Sequence, residues 1–466
     1  MNTGLKDLDK LAYDIVCDWP KAVNFNPVFD DIDYSQIIRF YLWDKVGRAL
    51  RIKNGIDYGE ESVYLKTFKP NPFYYEPFES YGTFKKKWFD SRKHLFIPFH
   101  TPHTTSLVSN FKEQQDISII SKEDTYGLGI NQVIKSVAYK KNKKWANKLV
   151  NAVDSALLKL DVTLIKFDQT LLKKQIKGVV YSTDLAISEL RKYKPHAIYV
   201  HTDNHPPYIN YILAGKKLEI PTITYQHGLD CEHYYYNDCF ADNVIVWSEE
   251  RKSRYLDYSA ITPKILKNIG NIFLNIDHNT STKNKNTLLW VTRPHSPSKC
   301  YSPSRNYTEG LKILESIIEF MLDNKDLYLI IKTHPMDYVK GLKNLIREKR
   351  IENRVIISDD NLHFLFTKAS VIISEDTTAG VEAMYYNVPI VHAHFANSKP
   401  VLPFVKYKAA LPGYNSEQLK SNLLKACYLS EDEKNNMKIG QNKIINRFMP
   451  FGKIEDLTSF IIKTLK

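Results

Sequence analysis

The sequence predicts an α/β protein of two doubly wound parallel-sheet domains, on three observations. Short apolar runs at 95–99, 197–200, 222–225 and 243–247 alternate with longer helical stretches, and the alternation restarts at 288–291, 327–331, 355–357 and 371–373. Each run ends in a polar loop before the next helix, as parallel βαβ units do. Between the two series, residues 275–286 are polar and nearly free of apolar side chains, which marks a linker.

At 466 residues the chain exceeds a single small core. It divides into an aromatic-rich region at 1–90 with no readable chemistry, a first α/β domain at 91–274, the linker at 275–286, a second domain at 287–449 and a terminal helix at 450–466. Two α/β halves on one linker leave a cleft between them. The 43% hydrophobic and 25% charged composition is that of a soluble globular protein. No apolar run reaches the roughly 18–20 residues that span a bilayer. No secretory h-region opens the chain, so the expected place is the cytoplasm. Five scattered cysteines form neither a CxxC pair nor a disulfide framework.

The formal net charge of +13 needs a cause. Lysine clusters at 85–87 and 140–144 come without a zinc-finger, helix-turn-helix or RNP pattern, so no nucleic acid is expected. An anionic membrane face or an anionic substrate accounts better for the excess, beside an ordinary solvated surface.

In order along the chain, the run 95–99 leads to a polar loop at 100–105 and then a helix. Residues 116–120 form the next strand, and a lysine-rich helical segment covers 130–160. A helix at 170–193 precedes the strand 197–200. A further helix opens on Pro206 and Pro207, which suit a first turn. The strand 222–225 ends in Gln226-His227-Gly228, and 243–247 is followed by a helix capped by Ser248. In the second half the strands alternate with helices at 307–322 and 337–349. The tail holds helical segments at 416–447 and 454–465.

The central stretch is 371–392. It reads as a buried strand, a polar turn at 374–379, a helix opening near Gly380 and a second apolar strand. Ligands of open α/β sheets collect at such carboxyl ends of strands, where free N–H groups and a helix N-terminus favour a phosphate. Thr377 and Thr378 add hydroxyls, and Glu382 is placed to accept from a ribose hydroxyl. The ordinary alternative is a strand–helix junction in which the threonines only cap the helix.

Two more strand-end loops fall on the same side of the second sheet: Thr292-Arg293-Pro294-His295-Ser296 and Lys332-Thr333-His334-Pro335. Together the three offer Arg293, Lys332, His334, hydroxyls and a helix start, a set suited to a leaving phosphate on which charge grows during group transfer. Without GxxxxGK[ST] or GxGxxG, P-loop hydrolysis and NAD chemistry are not indicated. No DxD-type motif sits in a strand-end loop, so no metal is expected. The first half supplies His100, His103, Asp203, His205 and His227 at strand ends. Removing a proton from an acceptor hydroxyl needs a base of near-neutral pKa, which points to His227, with Asp203 second. Gly228 lets backbone approach a ligand. Cys231, Glu232 and His233 match no standard zinc spacing.

Four segments, TYQHGL at 224–229, VIVWSEERKSRYL leading to NIGN at 244–271, IIKTHP at 330–335 and SEDTTAGVEAMYYNVPIV at 374–391, resemble the GT-B glycosyltransferases. The resemblance covers roughly 195–460 and rests on the order and spacing of the motifs. It implies two Rossmann-like lobes, a nucleotide donor held mainly by the second, no catalytic metal, and a C-terminal helix returning to the first lobe. Within that fold, QHG, THP and the threonine pair look most like bacterial capsule and surface-polysaccharide transferases. They also resemble the CDP-glycerol glycerophosphotransferases of teichoic acid synthesis, whose HG and HP histidines carry the chemistry. By that likeness His227 stands near the reacting centre, while His334 with Pro335 meets the donor phosphate. Glu382 holds the ribose. Bacterial sialyltransferases grip CMP with an HP motif and a Ser-Ser pair. Here the pair is Thr377-Thr378, a departure that leaves CMP-, CDP- and UDP-linked donors open.

The reading is a transferase that moves a sugar from a nucleotide-activated donor, used as substrate without a further cofactor, to a surface polysaccharide or lipid-linked glycan. Thr377, Thr378, Gly380 and Glu382 complete the donor side, and His100, His103 and His205 the acceptor side. A basic surface would hold the protein against the inner membrane face. A polyol-phosphate transferase is the nearest alternative, followed by a UDP-sugar 2-epimerase and a non-catalytic polyanion-binding module.

Overall fold

Six strands of the two sheets, 197–200, 222–225, 243–246, 287–291, 371–374 and 390–393, are buried along their whole length, as mostly apolar strands are where helices cover both sides of a sheet. The computed structural model describes residues 5–55, 83–84, 91–98, 102–112, 116–123, 130–204, 206–229, 239–258, 263–274, 276, 286–293, 307–334, 337, 339–396 and 399–465. A small hairpin of β1 (Val28–Phe29) and β2 (Ile32–Asp33) precedes the first sheet. That sheet holds β3 (Thr83–Phe84), β4 (Lys93–Ile97), β5 (Ile117–Glu123), β6 (Ala197–Val200), β7 (Thr222–Tyr225), β8 (Asn243–Val246) and β9 (Ile265–Asn268), in the order β3-β5-β4-β6-β7-β8-β9. Only the edge strand β3 is antiparallel.

The second sheet holds β10 (Thr287–Val291), β11 (Tyr328–Lys332), β12 (Val355–Ile357), β13 (Val371–Ser374), β14 (Ile390–Ala393) and β15 (Leu411–Gly413), all parallel, in the order β12-β11-β10-β13-β14-β15. Strand order reverses between β10 and β13. Such a switch point opens a crevice at the carboxyl ends of the strands.

Residues 5–55 belong to the first lobe. Helices Leu5–Ala22 and Tyr34–Lys53 pack on the long helices Ile130–Lys159 and Lys166–Tyr193 around Trp19, Trp43 and Leu149. Arg48 Nε donates to Asp168 Oδ2 at 2.8 Å with both side chains buried. Burial raises the Asp168 carboxyl above its usual range and the Arg48 charge opposes that. A buried pair of this kind fixes helix register more than it adds stability.

One apolar cluster crosses between the lobes. It joins Leu95, Tyr199 and Trp247 of the first sheet to Leu289, Ile372 and Met384 of the second through Phe448, Phe460 and Ile461 of the tail. The terminal helix Ile454–Leu465 lies against β4 and the helix Pro102–Lys112, returning to the first lobe. The two chain passages meet at a short parallel bridge between Asn271 and Phe451. Gly270 has φ +81°, and a Cβ there would lie 2.3 Å from the Phe451 carbonyl oxygen; one on Gly452 would lie 2.5 Å from that of Ile269. Only glycine permits this crossing.

Three expectations are corrected. The helix after β4 starts at Pro102, so His103 sits in a helical first turn and not in a loop; proline suits that position because its missing N–H has no intrahelical partner to lose. The single segment expected at 416–447 is two helices, Ser416–Cys427 and Glu431–Phe448. Ser430 and Glu433 form a capping box that starts the second. The helix expected to open near Gly380 is Thr378–Met384, two residues earlier. Most of the stretch 275–286 lies outside the described residues.

Candidate active site

Parallel register decides which loops meet. Val291 pairs with both Lys332 and Ser374, so the residues that follow β10, β11 and β13 emerge side by side at the switch point. Hydrogen bonds then lace the three loop starts together. The His334 amide donates to Thr292 Oγ1 at 3.0 Å and to Asp337 Oδ2 at 2.8 Å, and the Thr292 hydroxyl is itself bonded to Asp337. The Arg293 amide donates to Glu375 Oε1 at 3.3 Å. Asp337 thus braces two strand-end loops, a role the sequence reading did not assign. Its only signal is a carboxylate three residues beyond His334.

The strand-turn-helix after β13 is held from behind. Asp376, fully buried, accepts from the amides of Val401 at 3.2 Å and Leu402 at 3.0 Å. His392 Nε2 lies 3.2 Å and His394 Nδ1 3.4 Å from its oxygens. Thr377 is the N-cap, its side chain accepting from Gly380 N at 3.0 Å. A Cβ on Gly380 would come within 2.2 Å of Ser374 Oγ, so this turn needs glycine for closeness of packing. Capping is therefore real, yet it engages only one of the two threonines.

Thr378 does something different. Its Oγ1 accepts from the Leu229 amide of the other lobe at 2.9 Å. The loop after β7 is shaped for that contact: Gln226 Nε2 donates to the Gly228 carbonyl at 2.8 Å, while its Oε1 accepts from Trp247 N at 2.9 Å. A Cβ on Gly228 would stand 3.5 Å from Thr378 Oγ1. His227, the residue before, is exposed, and His334 and Lys332 are half-buried.

Not every predicted side chain faces the gap. Arg293 is 1% exposed, closed inside the second lobe beside Glu375. Asp203 is 4% exposed, with Oδ2 accepting from Phe240 N at 2.7 Å and Ala241 N at 2.8 Å. Burial pushes its carboxyl up to about 6 against the pull of those amides. Glu382 sits in the helix Thr378–Met384 with its side chain 20% exposed, 3.9 Å from His363 Nε2. Burial raises its carboxyl to about 7 and lowers the His363 imidazole. His100, His205, Pro335, Cys231, Glu232 and His233 lie outside the described residues. Among the described residues, no group of three or more His, Cys, Asp or Glu side chains is arranged to hold a metal ion.

Below His227 a cavity of about 30 Å³ is lined by His201, Asp203, Asn204, Gln226, Arg251 and Tyr255 among others. The Arg251 guanidinium, buried, stands 4.3 Å from the centre of the Tyr255 ring and donates to its hydroxyl at 2.8 Å. His201 and Arg251 were not singled out from sequence.

Residues 265–396 match the family of capsule polysaccharide biosynthesis proteins. An S. aureus MnaA–UDP co-structure superposes with a TM-score of 0.51 at 14% identity, covering 80% of this chain and 97% of that one. The protein has the GT-B fold, and residues 265–396 within it are similar to the capsule polysaccharide biosynthesis family. Two further GT-B neighbours are more distant. UDP-GlcNAc 2-epimerase from Neisseria meningitidis bound to UDP-GlcNAc gives 0.48 at 14% identity, covering 80% of this chain and 99% of that one. A trehalose-phosphate synthase (UDP-forming) from Burkholderia vietnamiensis gives 0.46 at 8%, covering 80% and 96%. No curated protein matches by sequence. Among the described residues of this GT-B chain no helix is long and apolar enough to cross a membrane.

Proposed function

We propose that the protein is a glycosyltransferase, moving a sugar from a nucleotide-activated donor to a surface polysaccharide or lipid-linked glycan. One observation carries this reading. The Leu229–Thr378 hydrogen bond joins the His227 loop to the donor-side turn, so an exposed imidazole stands across the gap from three converging loop ends. In the proposed reaction His227 takes the proton of the acceptor hydroxyl as its oxygen bonds the anomeric carbon. The bond from that carbon to the donor phosphate breaks, and Lys332, His334 and the hydroxyls of Thr377 and Thr378 hydrogen-bond the departing phosphate. Both threonine oxygens already accept a hydrogen bond, which leaves their protons to donate.

Arg293, shut inside the lobe, acts through the field of its charge, while its backbone amide holds Glu375 in place. Asp203, whose Oδ2 is taken by two amides, braces the acceptor side and does not take the proton. Glu382 receives a ribose hydroxyl, and His100, His103 and His205 belong to the acceptor side. No metal or further cofactor is required, and the basic surface carries the protein to an anionic membrane face. The domain limits proposed from the sequence put the linker at 275–286.

An epimerase working on the same donor requires free carboxylates in the cleft. Glu375, Asp376 and Asp203 each accept from backbone amides, which favours transfer. Incubating the protein with UDP-sugars, CMP-sugars and CDP-glycerol, with and without a glycan acceptor, tests the proposal. Acceptor-dependent release of nucleotide from a sugar donor supports it. Consumption of CDP-glycerol alone replaces it by polyol-phosphate transfer, and sugar interconversion without acceptor replaces it by epimerisation. Thermal shift with CMP, CDP, UDP and GDP locates the base preference. His334→Ala should abolish that shift.

A further inference from the structure

The deepest group of titratable side chains on the acceptor side lies at the ends of β6 and β7, which are neighbours in parallel register with Val200 opposite Thr224. His201 follows β6 and His227 lies two residues beyond β7. Their rings stand 5.6 Å apart between centroids at 84°, edge to face. On its other side His201 meets the Tyr208 ring at 4.3 Å and 80°. Tyr208 begins the helix Tyr208–Lys217, so its position is set by the fold and not by a mobile side chain. His201 is half-buried and His227 is exposed. The pair therefore has an inner and an outer member, and only the outer one faces the gap.

Resting on the reading of His227 as the base, we propose that His201 is its positioning partner. The inner imidazole fixes the orientation of the outer ring toward the acceptor's proton. Tyr208 and His227 flank the His201 ring on two sides, and the edge-to-face contact passes that order outward.

Among the described residues, the other polar side chains around the cavity are held by partners of their own. Asp203 is engaged by two backbone amides, and Arg251 is stacked on Tyr255 and bonded to its hydroxyl. Burial raises both Tyr208 and Tyr255, which keeps their hydroxyls protonated. The cavity between these groups has room for about one water, enough to carry a hydrogen bond between polar side chains but not a ligand.

The test is kcat and donor KM for sugar transfer in His201→Ala, which removes the ring, and in His201→Phe, which keeps a ring against Tyr208. His201→Ala should lower kcat about tenfold with donor KM unchanged, and His201→Phe should recover most of that loss. A thermal shift with nucleotide confirms that each variant is folded, because the proposed reading puts the nucleotide on the other lobe. An unchanged kcat in His201→Ala, or an equal loss in His201→Phe, overturns the pairing. Full activity in His227→Ala overturns the base assignment itself. An inactive His227→Ala beside a fully active His201→Ala overturns only the pairing.

Discussion

Replacing Asp337 with alanine asks whether the loops proposed to bind the donor are held in place before any ligand arrives. In the structure one oxygen of Asp337 takes the His334 amide at 2.8 Å and the Thr292 hydroxyl, so it ties the end of β10 to the end of β11. A hydrogen bond to a charged group contributes about 1.5–3 kcal/mol. The His334 amide would keep its 3.0 Å bond to Thr292 Oγ1, which places the loss near the lower end, about 1.5–2 kcal/mol. If that loss frees the loop, the binding-competent fraction falls, and the apparent Kd for nucleotide rises by the same factor, roughly 10- to 30-fold. Calorimetric titration with the preferred nucleotide measures it. Asp337→Asn, which keeps an acceptor oxygen, should recover most of the affinity. An Asp337→Ala protein that binds within twofold of the parent, while His334→Ala does not bind, would refute the argument that this carboxylate prepares the site.

Three further outcomes are expected. Asp203 is raised from 3.8 to about 6 in the folded protein, so the folded state holds the extra proton and stability falls as pH rises through that window. Asp203→Asn removes this dependence, and between pH 5 and pH 7 its urea-unfolding free energy should gain about 1.3 kcal/mol relative to the parent; parallel pH profiles would count against it. On the proposed reading Glu382, raised to about 7, accepts from a ribose hydroxyl more strongly once ionised. Affinity for a nucleotide sugar, whose phosphates do not titrate in this range, should therefore rise about fivefold from pH 6 to pH 8 and become flat in Glu382→Gln. Thr378→Val keeps the β-branched shape but strips the acceptor from Leu229 N–H, at about 1–3 kcal/mol against the closed arrangement of the lobes. Small-angle scattering of the ligand-free variant should show a larger radius of gyration, and an unchanged curve would mean that the shared apolar cluster holds the lobes alone.

The interior strands were legible because nothing but a doubly covered sheet accounts for fully apolar runs such as 288–291 and 371–373. The edge strand Leu411–Gly413 was not, since a leucine, a proline and a glycine carry no alternation and owe their pairing to β14. The split between the tail helices was written in Ser430 and Glu433, but an apolar period running through both helices masks it. At the site, loop convergence follows from parallel topology and could be read. Whether a side chain faces the gap could not, because it depends on packing from elements far along the chain. Arg293 and Asp203 look accessible in sequence and are enclosed, and His201 looked incidental beside Asp203. The Thr378–Leu229 bond spans 149 residues and has no local signature at all.

At the crossing of Gly270 and Gly452, peptide lies directly on peptide. That contact joins the shared apolar cluster and the Thr378–Leu229 bond in setting how the lobes meet. A lone methyl on either glycine would wedge the passages apart and reset the angle between the lobes, with every loop of the site left chemically whole. Function lost that way would be lost by aim.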